Sequence, residues 1–444
     1  MINKHLYSNG NVSFKGYFAC PLKAVYVQPS PLMRDEEELS LLQGYQKDLN
    51  KEGVDLYFQL EKMALQNNPK SYLTTDINQA FKDRSGPSER YSPWGQDNKF
   101  IVNTPNGLVV LENGIIRKRE KNAVKELAES LGGEYKKMIS RLDGGNVFLG
   151  KTDEKKKFAL VGDEAIEDTA LKMALAKKDF HIEFIKAAGS GKVLIKFGDE
   201  EYCESLKNLK NNNLEKMDIP NLEIKEILSS ACEDYKTNKS TYFKEAKTQI
   251  FKDLNIQDVR FIEQPAFHID MIMRPLKYPY VLVNDYNLSV KCLEEEKSKT
   301  ISVTAQNDID KLISETTSFE MQQRKMYPGR ENVAENLEKL GFNVIKVPAV
   351  FGISNNFMNA VVHENNENKL AYFTNKSSYD GNLHEFDLNK MYENYLSNID
   401  TPNKFNFYFE GGADEKESKT NQITDLISSE SGALHCISNE VPID

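Results

Sequence analysis

A chain of 444 residues with 39% hydrophobic and 28% charged side chains can bury a sizeable core, as one large domain or two ordinary ones. Its 57 Lys and Arg against 67 Asp and Glu leave a formal net charge of −10, which argues against a general nucleic-acid binder and mildly favours a cationic ligand. The opening MINKHLYSNG lacks the apolar core of a secretory signal, no run of 18 apolar residues follows, and the five cysteines are scattered with no C-x-x-C pair. The expectation is a soluble, cytoplasmic protein with no membrane association, disulfide framework or zinc cluster.

In chain order, residues 23–28 (KAVYVQ) alternate and are rich in β-formers, PSPLMR at 29–34 breaks the pattern, and 35–66 carry helical apolar spacing after an acidic start. Two apolar runs at 100–103 and 108–111 flank Thr104-Pro105-Asn106-Gly107, and Asn-Gly tolerates the positive φ of a hairpin turn. Residues 121–131 read as an amphipathic helix stopped by Gly132-Gly133. A short extended stretch, a turn at 143–146 and strands at 147–149 and 158–161 follow.

From 165 to 255 the composition shifts: Lys and Glu dominate, Asn211-Asn212-Asn213 interrupts, and 222–254 keep mostly helical spacing. This block reads as a predominantly helical insertion upon a domain formed by 1–164 and 256–444. Strands are then predicted at 259–262, 268–273, 280–283, 300–303, 343–347, 359–362 and 370–373, with helices near 308–320, 331–340 and 387–396. Short strands interleaved with helices indicate a mixed α/β or α+β class. GGADEKESK at 411–419 reads as an exposed loop.

Four segments carry candidate chemistry. Near the C-terminus, SSESG is followed by Ala433-Leu434-His435-Cys436-Ile437-Ser438, and a cysteine after a glycine break suits an exposed nucleophile, although a lone Cys is more often a small buried hydrophobe. In PAFHIDMIMRP, strand alternation would put His268 and Asp270 on one face, as a reactive pair or as a structural pair that satisfies itself. The single tryptophan, Trp94, precedes Gly95-Gln96-Asp97 at the mouth of the hairpin, where a core anchor and a turn residue are the plain alternatives. Asp143-Gly144-Gly145-Asn146 is a turn with an acid on one side and an amide on the other. His5, His181, His363 and His384 have no partner pattern, and the glycines near Lys192 fail the phosphate-loop spacing.

Taken as a set, W-x-x-D, G-G-N, H-x-D and G-x-x-H-C occur in the order found in the guanidine-modifying (pentein) superfamily, which the chain resembles from Trp94 to Cys436. That superfamily includes agmatine, arginine and protein-arginine deiminases. The resemblance implies an α/β propeller of five ββαβ units, a Cys436 nucleophile, His268 as proton shuttle, and a guanidinium held by Asp97 and Asp270, with Trp94, Asp143 and Asn146 beside it. It implies a covalent thiouronium, release of ammonia and a ureido product, and no cofactor or metal.

Three departures bear on the substrate rather than the chemistry. Gln96 replaces the Arg usual in agmatine deiminases, which is closer to the protein-arginine deiminase pattern; Asp143 stands where Glu is common; and the 165–255 block is large. Amidino transfer to an amine is the alternative enzyme reading, and a non-catalytic guanidinium-binding or protein-binding module is the alternative of another class. The 165–255 block would serve as a lid, as a surface for a protein partner or protein-bound arginine, or as a solvated helix pair.

Overall fold

The computed structural model describes residues 18–27, 36–59, 73–78, 99–104, 107–113, 115–116, 123–185, 191–266, 268–330, 332–352, 355–377, 379, 385–401, 404–410 and 438–442. Its elements begin with β1 (Leu22–Val27), α1 (Glu36–Lys51), β2 (Asp55–Gln59) and β3 (Leu73–Thr74). The hairpin of β4 (Lys99–Thr104) and β5 (Gly107–Glu112) follows, then β6 (Ile115–Ile116), α2 (Ala123–Leu131) and β7 (Glu134–Lys137). Next come β8 (Val147–Lys151), β9 (Lys157–Gly162), α3 (Glu164–Ala176), and strands β10 (His181–Ile185), β11 (Lys192–Phe197) and β12 (Glu200–Ser205). Helices α4 (Leu206–Asn211), α5 (Leu222–Thr237) and α6 (Lys239–Leu254) lead to β13 (Asp258–Ile262).

The remainder comprises β14 (Met273–Pro275), β15 (Tyr280–Asn284), α7 (Tyr286–Lys299), α8 (Val303–Met326), α9 (Val333–Lys339) and β16 (Asn343–Val347). It closes with β17 (Val361–Glu364), β18 (Leu370–Asn375), α10 (Leu388–Asn398), β19 (Phe405–Glu410) and β20 (Ser438–Pro442). Among the described residues no helix is long and apolar enough to cross a membrane.

One pairing rule recurs through this mixed α/β fold: an antiparallel pair of strands, a helical connection, and a third strand parallel to the second. It holds for β4-β5-β7, β8-β9-β13, β14-β15-β16 and β17-β18-β19. The fifth instance joins the two ends of the chain, because β20 pairs antiparallel with β1 and β1 pairs parallel with β2. In each unit the middle strand has neighbours on both edges and tends to be covered on both faces. That is why β18 (LAYFTN) is buried throughout and β9 (KFALVG) reads as a nearly continuous apolar run.

The units are stitched together near the start of the described chain. Phe18 donates its N–H to Leu149 O in the second unit, Ala19 to Leu276 O beside the third, and Cys20 O accepts from Glu364 N in the fourth. A second tie is ionic. Arg274 of β14 and Glu440 of β20, both 0% exposed, meet at 2.9 Å, and the guanidinium lies 5.6 Å from the Phe148 ring centroid of β8.

The structure corrects several expectations. Residues 268–273 are not a strand: Ile269–Met271 form a 3₁₀ turn and pairing begins only at Met273. The β-branched stretch at 300–303 is not a strand either, because Ser302 caps α8 by accepting from Ala305 N at 3.3 Å. Ile301 and Val303 stay 97% and 70% exposed there, so no sheet claims them.

The 165–255 block is less helical than its composition suggests, since β10, β11 and β12 form an antiparallel meander that continues through β10 onto β6. It also shares one core with the first two units. Leu171 and Leu175 of α3 and Leu228 and Ile250 of α5 and α6 pack in the same cluster as Val109, Leu149 and Val161.

One buried acid sets a pH dependence. Burial and the nearby Asp48 carboxylate push the Glu410 carboxyl from its ordinary 4.5 up to about 8, against the opposing pull of Lys51. The folded chain then keeps a proton that the unfolded chain releases. Stability is expected to fall as pH rises from about 4.5 to about 8 and to level off above that. Glu410→Gln should flatten this slope and raise stability on the alkaline side, as read by urea unfolding across the range.

Candidate active site

Two short turns facing each other build the site. The first, Gly144–Asn146, leads into β8, and the second, Ile269–Met271, leads into β14. Asn146 holds them in register, its side-chain Oδ1 accepting from Ile269 N at 2.9 Å. The two turns approach so closely that a Cβ on Gly145 would fall on the imidazole of His268 and within 2.8 Å of its Cβ. Glycine is therefore required at 145 by space, not by backbone conformation. Gly145→Ala is expected to displace the His268 ring, with activity falling far more than stability when both are measured on the purified variant.

His268 is 3% exposed and has acids on two sides. Its Nε2 lies 3.1 Å from Asp143 Oδ1, and its Nδ1 lies 3.9 Å from Oδ1 of the fully buried Asp270. The Asp143 oxygen lies within ion-pair reach of the imidazole, whereas the Asp270 separation exceeds a hydrogen bond. A buried imidazole set between two carboxylates is an arrangement that general acid–base chemistry uses.

By chain order the candidate residues are far apart, and the fold brings four of them together: Asp143, Asn146, His268 and Asp270. His268 and Asp270 are neighbours through a tight turn rather than through strand alternation. Asn146 Oδ1 serves the backbone of the second turn, and Asp143 serves the imidazole. Trp94, Asp97 and Cys436 lie outside the described residues.

No family model matches this chain, and no curated protein matches it. Among solved structures, its matches include agmatine deiminases and a putative peptidyl-arginine deiminase. The agmatine deiminase of C. jejuni aligns over 99% of this chain and 98% of that one, at 11% identity and a TM-score of 0.47. The agmatine deiminase of Enterococcus faecalis aligns over 98% of both chains, at 10% identity and a TM-score of 0.43.

The described cysteines offer little competition for a nucleophilic role. Burial, with the Glu440 carboxylate nearby, pushes the Cys20 thiol far above its ordinary value. Burial likewise pushes Cys232 up to about 12 and Cys292 up to about 11, so at neutral pH these sulfurs are held as thiols. Cys203 is exposed on β12, the strand at the far edge of the β10-β11-β12 meander.

Sequence reading passed over Arg141, two residues ahead of Asp143. Its Nη2 lies 3.8 Å from Asp143 Oδ2, and its Nη1 bonds Asp168 Oδ2 of α3 at 2.8 Å. The signal was present as RLDGGN, but a basic residue before a turn reads as surface until its partners are known.

Proposed function

We propose that this chain is a cysteine-dependent deiminase of the pentein type, with its five ββαβ units set around a common axis and the facing turns of His268 and Asp143 at the centre. The observation that carries the reading is the buried set of Asp143, His268 and Asp270, an imidazole between two acids. The crossing contacts of Phe18, Ala19 and Cys20, and of Arg274 with Glu440, support a central axis.

A guanidinium is planar, permanently charged and rich in N–H donors, so carboxylates that accept in pairs are its natural partners. Asp270 and Asp97 take that role. The Cys436 thiolate adds to the guanidinium carbon, forming a C–S bond and a tetrahedral adduct. His268 as imidazolium, steadied by Asp143, gives its proton to the departing nitrogen, and ammonia leaves as the C–N bond breaks.

A thiouronium remains on Cys436. Neutral His268 then takes a proton from water, the resulting hydroxide adds to the same carbon, and collapse of the adduct breaks the C–S bond, the hydroxyl proton passing to solvent as the ureido product and the thiolate are released. His268 is left protonated for the next cycle. No metal or cofactor enters these steps.

The test is incubation with free arginine, agmatine and an arginine-containing protein, beside a Cys436→Ala control, with ammonia and ureido product measured. Ammonia release that disappears in the control supports the reading. Release from none of the three overturns hydrolysis of these substrates, and a guanidinium passed to an added amine without ammonia would point to amidino transfer.

A further inference from the structure

We propose that Arg141 and Asp168 are positioning residues that pin Asp143 onto His268, so that the α3–α6 block steadies the proton shuttle. The inference rests on the reading of His268 as that shuttle.

Asp143 divides its two oxygens. Oδ1 faces His268 Nε2 at 3.1 Å, and Oδ2 faces Arg141 Nη2 at 3.8 Å. The second contact is longer than a hydrogen bond, so it acts by charge: a guanidinium that does not lose its proton draws Oδ2 toward itself and biases the carboxylate to keep Oδ1 on the imidazole. With Asp143 fixed, Nε2 keeps its N–H in a hydrogen bond to Asp143 Oδ1, and the proton passed to the departing nitrogen is the one carried on Nδ1.

Arg141 is itself held from three directions. Its Nη1 bonds Asp168 Oδ2 at 2.8 Å, its backbone N–H donates to Thr169 Oγ1 at 3.0 Å, and its guanidinium sits 5.0 Å from the Phe184 ring centroid of β10. Behind it the charges alternate outward. Lys210 of α4 bonds Asp168 Oδ1 at 2.7 Å and Glu167 Oε2 at 2.9 Å, and Lys239 at the start of α6 bonds Glu167 Oε1 at 2.9 Å.

Burial works against the charge on Glu167, yet Lys210 and Lys239 hold its carboxyl down to about 2. Six of these groups, Glu167, Asp168, Thr169, Phe184, Lys210 and Lys239, belong to helices or strands of the 164–254 block, while Asp143 and His268 flank the facing turns and Arg141 precedes the first. An isolated surface ion pair would contribute little, but a chain of partly buried pairs that ends on a 3%-exposed imidazole fixes geometry.

The test uses the full chain with ¹⁵N-labelled histidine. A hydrogen-bonded imidazole N–H gives a downfield proton resonance, identified here as the one lost in His268→Gln. Arg141→Met is expected to broaden or abolish that resonance and to lower kcat by roughly 10- to 100-fold, part of the full general acid–base contribution, with KM less affected. Arg141→Lys, which keeps the charge, should retain the resonance.

If Arg141→Met does not fold, Asp168→Asn keeps the side-chain shape and gives the same readout. Folded variants that keep both the resonance and the wild-type kcat overturn the inference. Loss of the resonance in a chain that turns over no guanidine supports the relay and overturns only the deiminase reading.

Discussion

Replacing His268 by Gln is expected to lower kcat by roughly 10²- to 10⁴-fold, the usual contribution of a positioned acid–base group, while KM for the guanidine changes far less. Gln keeps a polar, hydrogen-bonding side chain in the 3%-exposed slot between Asp143 and Asp270, so the fold is preserved while proton exchange is lost. The same residue is asked to protonate the leaving nitrogen and to deprotonate water, so both half-reactions slow. Steady-state kinetics on folded protein, with unfolding curves alongside, checks this. A kcat within a few-fold of wild type would remove His268 from the mechanism.

Arg274→Met is expected to carry the largest stability loss, about 3–5 kcal/mol, the usual consequence of removing one partner of a buried ion pair. Both Arg274 and Glu440 are 0% exposed, and their 2.9 Å contact joins β14, just beyond the His268 turn, to β20, which begins two residues after Cys436. The single variant leaves Glu440 buried without that cation. A double variant, Arg274→Met with Glu440→Met, should recover much of the loss, because two apolar side chains of similar length need no solvation. Urea unfolding of the two single variants and the double closes the cycle, and a single-variant loss below about 1 kcal/mol would contradict the assignment.

The sequence was most legible where one period dominated. The hairpin around 104–107, the helix stopped by Gly132-Gly133 and the buried runs of β9 and β18 all follow from local pattern. It misled where a local pattern fitted two structures: at 300–303 a capping serine outweighs β-branched residues, and in the 165–255 block Lys- and Glu-rich alternation masks three strands. Helix α7, started by the Asp285 cap, and the aromatic strand β19 were overlooked altogether. The closing of the fifth unit by β20 depends on pairing between the chain's two ends, which no window of sequence contains.

The candidate site divides in the same way. H-x-D and G-G-N are visible as short motifs, but that Asn146 bonds the backbone of the His268 turn, and that Gly145 is a glycine because an imidazole fills its side-chain space, are facts of tertiary contact. The same holds for Asp143, whose reach to His268 spans more than a hundred residues of chain. Arg141, Asp168 and the Arg274–Glu440 pair have ordinary sequence surroundings, and only their partners and, for Asp168, Arg274 and Glu440, their burial distinguish them from surface charges.

The central claim is that Cys436 is a nucleophile aimed at a planar cation, and alkylation kinetics test it without knowledge of the natural substrate. The protein would be treated separately with 2-chloroacetamidine, a cationic amidine, and with 2-chloroacetamide, its neutral analogue, and the labelled cysteine mapped by peptide mass spectrometry. Faster labelling of Cys436 by the cation than by the amide, with the preference lost in Asp270→Asn, is the predicted result. Equal rates for the two reagents, or labelling of exposed Cys203 ahead of Cys436, would contradict it.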